Sequence, residues 1–396
     1  MKVAKHILPI IVISQFCCTS LWFASNCVMD ELATAFNFES SALGDLTSAV
    51  QFGFIAGTLV FALLTIADRY SPSLVFMWSA LAGAAFNLCT ILEGNSLMSL
   101  LFLRFGMGFF LAGIYPVGMK IASDYFDKEL GKSLGLLVGA LVVGTALPHL
   151  IKGSFESLPW RMILISISIL ATFGGGLIYF FVPNGPHRKS GQKTDLTAIF
   201  TVFKNRNFRA AAFGYFGHMW ELYTFWAFTP VMLAFYQNAH PEITFNISQL
   251  SFVIIGVGGL SCAVSGLISA RIGTQKTAAI ALSLSGLCCF LSPIFFFQDS
   301  FFIFLTFMIF WGIMVVADSP LFSTLVAQNA PAEARGTALT IVNCLGFAIT
   351  IFSIQLMAYL VENWNFEYAY LVLGLGAIFG LTSLFSVNFN VLRQIV

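Results

Sequence analysis

The chain has 396 residues, 58% of them hydrophobic and 9% charged, with a formal net charge of +1. A soluble globular domain carries about 25% charged residues, so a water-facing surface for a chain of this length is excluded and a helical membrane protein is expected. The net charge gives no electrostatic argument for any partner, nucleic acid included.

The first apolar run, 7–29, is too long for a signal-peptide core, and no small-x-small cleavage site follows it. It is expected to be a retained span. Eleven more runs follow, each near or above the ~18–20 residues that cross a bilayer core. They cover approximately 45–66, 74–92, 97–122, 133–151, 161–182, 209–236, 249–269, 277–297, 300–326, 337–361 and 367–389. The longest polar connection, VPNGPHRKSGQKTDLTAIFTVFKNRNF, separates the sixth span from the seventh. The expected fold class is an all-α polytopic membrane protein of twelve transmembrane helices in two six-helix bundles. The bundles are 1–182 and 208–396, joined by a linker, 183–207. Within the linker, Leu196, Ile199, Phe200 and Phe203 recur at helical spacing after a candidate cap, Asp195, as in an amphipathic helix lying on the membrane surface. The eight cysteines fall in or beside apolar runs without a C-x-x-C and read as small buried apolar side chains.

Lysine and arginine placement sets the orientation. With the N-terminus cytoplasmic, inside segments hold sixteen basic residues, from Lys2 and Lys5 to Arg335 and Arg393, and outside segments hold only Lys152 and Arg161. Both termini are then expected in the cytoplasm, with the protein in the plasma membrane, the inner membrane of a bacterium.

The loops carry a repeat. LTIADRYSPS after span 2 aligns with GLISARIGTQK after span 8, Arg69 over Arg271 and Asp68 over Ala270. ASDYFDKELGKSL after span 4 aligns with AQNAPAEARGTAL after span 10, with Ala122, Gly131 and Leu134 over Ala327, Gly336 and Leu339. Pro116 and Pro320 fall one residue off that register. The two halves read as parallel copies of one unit.

On these features the chain resembles the major facilitator superfamily over its whole length. That family's loop 2–3 signature runs roughly G-x-x-x-D-R-x-G-R-K. The first copy keeps Asp68 and Arg69 but has Leu64, Ser71 and Pro72 at other signature positions. The second keeps Gly266, Arg271, Gly273 and Lys276 and has Ala270 in place of the aspartate. The R-x-x-x-G signature of span 4 is present as Arg104 and Gly108. The exporters' Gly-Pro of span 5 is absent, though Gly135, Gly139, Gly144 and Pro148 stand there. The resemblance implies alternating access, a gating role for Asp68, Arg69, Arg271 and Lys276, and a central cavity lined by spans 1, 4, 7 and 10.

A charge at the bilayer centre costs about 2.5–3.5 kcal/mol on insertion scales, so the few intramembrane charges are informative. They are Arg104, Glu221 and Asp318, with His218 on the same helix face as Glu221. On span 1 a polar stripe of Gln15, Thr19, Trp22 and Asn26 recurs at i, i+4, i+7 and i+11. Tyr115 on span 4, Trp311 on span 10 and Asn343 on span 11 complete the expected cavity lining. Structural roles stand beside these. The stripe can be interhelical glue, Arg104 can hold backbone carbonyls, His218 can pack between helices, and Asp318 can bridge a kink at Pro320. His149 near a span end can be an anchor.

A carboxylate that is alternately wet and dry binds and releases a proton with conformation, the physical basis of proton coupling. Glu221, His218 and Asp318 are therefore the candidate coupling groups. The expected function is a monomeric secondary active transporter of a small polar or anionic organic solute, driven by protons across a lipid bilayer. Export of drug-like compounds or metal chelates is the alternative reading. No G-x-S-x-G, H-E-x-x-H or phosphate-binding glycine loop marks an integral-membrane enzyme or calls for a cofactor or resident metal.

Overall fold

A computed structural model describes residues 4–39, 42–126, 130–155, 158–188, 199–331 and 335–387. The first half comprises α1 (Ile7–Thr19), α2 (Met29–Phe36), α3 (Ala42–Leu63), α4 (Ile66–Arg69), α5 (Pro72–Cys89), α6 (Leu97–Leu111), α7 (Tyr115–Tyr125), α8 (Leu130–Ser154) and α9 (Trp160–Phe181). One short turn, α10 (Ile199–Val202), precedes the second half. That half comprises α11 (Arg206–Ala239), α12 (Ile247–Ile272), α13 (Thr274–Phe296), α14 (Phe301–Ala317), α15 (Ser319–Asn329), α16 (Arg335–Asn363), α17 (Phe366–Ala369) and α18 (Gly374–Phe385).

Among the described residues, ten helical segments are long and apolar enough to cross a membrane. Helix α1, apolar but short, and the 34-residue α11 bring the count to the expected twelve. The outer surface carries large bare apolar side chains, such as Phe302 at 77% and Phe180 at 74% exposure, which only a bilayer covers without cost. All eight cysteines are free, and seven are buried.

Three spans are not single rods. Span 1 leaves helical geometry after Thr19 and continues through turns and a 3-10 segment into α2, so the stripe from Gln15 to Asn26 does not lie on one continuous helix. Spans 4 and 10 break at related places. The chain turns at 112–114 before α7, with Pro116 in its first turn, and at Asp318 before α15, with Pro320 in its first turn. Proline lacks an N–H and is tolerated there because first-turn donors are free in any case. In the linker, Asp195 and Leu196 of the expected surface helix lie outside the described residues, as do Lys189 and Lys193. Phe203, just after α10, packs edge-on to Phe208 at 5.2 Å.

Helix pairs meet through glycine. A Cβ on Gly53 would overlap the carbonyl of Phe105, one on Gly57 that of Phe109, and one on Gly108 that of Val50, which locks α3 against α6. This is the small-xxx-small contact that membrane helices use in place of a hydrophobic driving force. The second half repeats it between α12 and α14, where Gly258 faces Gly312 and a Cβ on Gly312 would overlap the carbonyl of Ile254. Gly258 stands 205 residues after Gly53, and Gly312 stands 204 after Gly108, within one residue of the register of the loops after spans 4 and 10. The halves meet where Gly139 of α8 lies against Gly259 of α12, a Cβ on Gly139 falling 2.9 Å from the Gly259 carbonyl oxygen.

The packing predicts a contrast between two glycines. Gly53→Ala puts a methyl into the Phe105 carbonyl and is expected to destabilise by about 1–3 kcal/mol. Gly176→Ala, whose Cβ meets nothing within 4 Å, is expected to be neutral or to stabilise slightly through helix propensity. Melting temperatures of the two variants in detergent check this, and equal melting points would contradict the close-contact account.

Candidate functional site

Two cavities lie between the halves. One, of about 610 Å³, runs from Gly135, Gln328 and Arg335 at the linker-side helix ends up to Tyr223, Trp226 and Phe347. The other, of about 920 Å³, opens on the opposite side and is lined by Asn26, His149, Lys152, Pro230, Asn246 and Glu362 among others. His149 is thus buried in a cavity wall rather than at a lipid interface.

An aromatic plug separates the cavities. Phe54 packs on Phe347 with ring centroids 4.4 Å apart, Trp22 stacks on Phe347 at 5.6 Å, and Phe23 meets Trp226 at 6.2 Å. Tyr223 touches Phe347 at 5.0 Å and Trp226 at 5.2 Å. Trp22, Phe23 and Phe54 come from the first half, and Tyr223, Trp226 and Phe347 from the second. On the far side of the plug, Gln355 donates to Asp45 and Ser48 at 3.0 and 3.1 Å, and Asn246 and Gln249 both donate to the carbonyl of Gly153. Those bonds join the halves at the end away from the linker.

The residues singled out by sequence distribute unevenly around these cavities. Tyr115 and Asn343 line the linker-side cavity, where the Tyr215 hydroxyl donates to Asn343 Oδ1 at 2.9 Å. Asn26 lines the opposite one. Arg104 lines neither. It is 2% exposed and donates to the carbonyls of Trp22 and Leu46 and to Asn26 Oδ1, at 2.9, 3.4 and 3.0 Å. Its Nη2 serves the irregular segment after α1, at the Trp22 carbonyl and Asn26, and its Nε reaches the Leu46 carbonyl of α3. Trp22 donates to Gln51 at 3.2 Å and Asn26 donates to Thr47 at 2.7 Å, so both are held within their own half. The Thr19 hydroxyl donates back to the carbonyl of Gln15 at 2.9 Å. Gln15 is fully buried, and neither of its side-chain polar atoms has a partner.

Glu221 and His218 share a helix face but not each other. Glu221 Oε1 accepts from Trp311 Nε1 at 2.7 Å and Oε2 from Ser285 Oγ at 3.0 Å. Trp311 is thereby a partner of Glu221 in the wall between α11, α13 and α14, not a cavity residue. His218 Nδ1 instead lies 2.8 Å from Asp318 Oδ1, both side chains at most 1% exposed. His218 meets Asp318 because Asp318 sits at the break of span 10, where the chain brings it level with α11. The Asp318 side chain makes no capping bond to α15. Among the described residues no three His, Cys, Asp or Glu side chains converge as a metal site would need.

Of the loop motif, Asp68 pairs with Lys120 at 2.9 Å, which ties the loop after span 2 to the linker-side end of span 4. Arg188 donates to the carbonyls of Asp68 and Tyr70 at 3.0 and 2.8 Å. Arg69, Arg271 and Lys276 are exposed. Between α12 and α13 the backbone turns at Gly273 with φ +97°, a conformation that requires glycine.

Trp226, Tyr223, Tyr215, Phe347 and Thr58 line the linker-side cavity and were not legible as such. The signal was present on α11. Tyr215, Met219, Leu222, Tyr223 and Trp226 recur at helical spacing and form its cavity face. At about 100° per residue, His218 and Glu221 fall roughly 90° and 150° round from that face.

The family model described as Major Facilitator Superfamily matches residues 11–354. A curated relative, the "Probable L-galactonate transporter" of Escherichia coli (strain K12), is 28% identical over 148 residues, which is 35% of this chain and 29% of that protein. The match thus spans under a third of that relative's length. The structure of the proton:xylose symporter XylE bound to 6-bromo-6-deoxy-D-glucose is similar with a TM-score of 0.73 and 14% identity, covering 96% of this chain and 94% of the other. The nucleoside transporter NupG is similar at 0.72 and 14%, covering 96% and 99%. At such identity these likenesses are of fold. With twelve spans, two repeated halves and a cavity between them, the chain is an integral membrane transporter rather than an enzyme, and it belongs to the Major Facilitator Superfamily.

Proposed function

We propose that the protein is a secondary active transporter that carries a small polar organic solute by alternating access and couples the movement to protons. In this reading the units 1–182 and 208–396 rock about the plug, and the linker side faces the cytoplasm of a cell whose plasma membrane holds the protein. The bonds of Gln355, Asn246 and Gln249 between the halves on the far side support reading this conformation as the one open toward the linker. The observation that carries the reading is the pair of cavities stacked on one axis between the halves and divided by rings from both, since rocking exchanges which cavity is continuous with water.

Coupling is assigned to Glu221, His218 and Asp318. What supports it is their burial together in one half, where an ionised carboxylate is tolerated only with well-placed partners. Each carboxylate has such partners in this conformation: Trp311 and Ser285 for Glu221, and His218 for Asp318. These partners all lie in the second half, so a shift of α11 against α13, α14 and α15 within that half, accompanying the rocking, would strip them and favour uptake of a proton. Asp68, Arg69, Arg271 and Lys276 are assigned to the closure of the linker side.

Two outcomes follow. In proteoliposomes with an imposed pH gradient, Glu221→Gln, which mimics the protonated side chain, is expected to keep folding and counterflow exchange and to lose accumulation against a gradient. His218→Gln is expected to shift the pH profile of uptake. Accumulation by Glu221→Gln equal to the parent's removes Glu221 from the coupling role and moves the test to Asp318→Asn. The second outcome concerns the bonds opposite the linker. Gln355→Ala removes its donations to Asp45 and Ser48 and is expected to raise the labelling rate of a cysteine placed at Pro230 about twofold to tenfold, the equivalent of about 0.5–1.5 kcal/mol for a lost hydrogen bond. An unchanged rate would show that those bonds do not hold that side closed.

A further inference from the structure

We infer that the linker-side cavity selects an uncharged solute bearing hydroxyl groups on a ring, the chemistry shared by neutral sugars and nucleosides, and rejects organic anions. The inference rests on the transport reading above and narrows it to a substrate class.

The first ground is charge. Among the described residues lining this cavity, Arg335 at the mouth is the only charged one. It is exposed, where salt screens it. The one guanidinium buried at membrane depth in the first half, Arg104, does not line this cavity, and its Nε and Nη2 are committed to two carbonyls and Asn26, with Nη1 against Met107 Sδ. An anion carried to the closed end of the cavity would lose its water and find no cation, a cost of several kcal/mol.

The second ground is the hydrogen-bond account at that closed end. Trp226 Nε1 and Thr58 Oγ1 are both buried without a partner, and both residues line the cavity. Buried donors are nearly always satisfied, so two orphans facing one cavity from opposite halves call for an acceptor from outside the chain. Trp226 is itself a ring of the plug and Thr58 lines the same cavity, so a solute that reaches the plug from this side meets both. Tyr215 and Asn343 line the same cavity, and their mutual bond leaves the Asn343 amide hydrogens for a further acceptor. Solute hydroxyls both accept and donate, which suits an N–H, an O–H and an amide at once.

The third ground is shape. Tyr115, Tyr223, Trp226 and Phe347 present aromatic surface around this end. Flat aromatic walls with a few placed polar groups suit a ring, either the C–H face of a pyranose or a base.

The test is isothermal titration of the purified full-length protein with D-xylose, D-galactose, uridine and L-galactonate, followed by uptake of the same four in proteoliposomes. Binding of at least one neutral solute is expected, with L-galactonate at least tenfold weaker. Trp226→Phe and Thr58→Val are each expected to weaken that binding about threefold to tenfold with the melting temperature held. The sugar and uridine arms distinguish which ring is preferred. Failure of all three neutral solutes to bind, or L-galactonate binding as tightly as the best of them, overturns the inference. If Trp226→Phe fails to fold, Thr58→Val alone decides, and unchanged affinity there counts against it. Proton-driven uptake of L-galactonate would sustain the transport reading and sink this one, whereas a neutral solute that binds without flux does the reverse.

Discussion

Each polar group that this chain takes out of water must find a partner inside the protein, because hydrocarbon offers none. The irregular segment after α1 is held because Arg104 donates to its Trp22 carbonyl and to Asn26. Glu221 is tolerable because an indole and a hydroxyl occupy one oxygen each. Asp318 is tolerable because His218 lies against it. Where this accounting closes, the residue holds the fold. It stays open at several buried groups, Gln15 and Gln51 Nε2 among them, and of these Trp226 and Thr58 stand on the cavity wall, where a solute can reach them.

The two halves meet this constraint with the same scaffold and different chemistry. Both break the fourth helix of the repeat and place a proline just after, and both lock it with a glycine against the second helix. In the register that pairs Gly108 with Gly312 and Pro116 with Pro320, however, Asp318 falls over Ile114 and Arg104 over Met308. The breaks are a property of the fold, and the charges were placed on them separately. The first half uses its charge to stabilise its own backbone, and the ionisable carboxylates sit in the second. That asymmetry is what a machine needs if one half is to respond to protons and the other to serve as a fixed wall.

Much of the fold was legible because the bilayer imposes it. Span length, the position of the long linker and the loop repeat follow from the 30 Å of hydrocarbon and from duplication. The site was less legible, for a reason visible on α11. Charge draws the eye in an apolar run, so His218 and Glu221 stood out, yet the helix turns its tyrosines and Trp226 to the cavity and keeps the charges in the wall. The partner of His218 could not be read from spacing, since Asp318 lies 100 residues away and reaches it only because span 10 breaks there. The stripe on span 1 misled for the related reason that the helix it assumed stops at Thr19.

The separation of charges from cavity also bears on how coupling can work. Asp318 does not line the linker-side cavity, but Ser319 and Pro320, the next two residues, do. His218 likewise stands one layer behind Tyr215 and Met219, which line it. A proton arriving at this pair need not meet the solute to be felt by it. Neutralising Asp318 weakens its hold on His218 at the point where span 10 changes direction, and the first turn of α15 carries that change directly into the wall. On the proposed reading, coupling would be a matter of helix geometry at one break, with the solute reading the wall and the proton reading the hinge behind it.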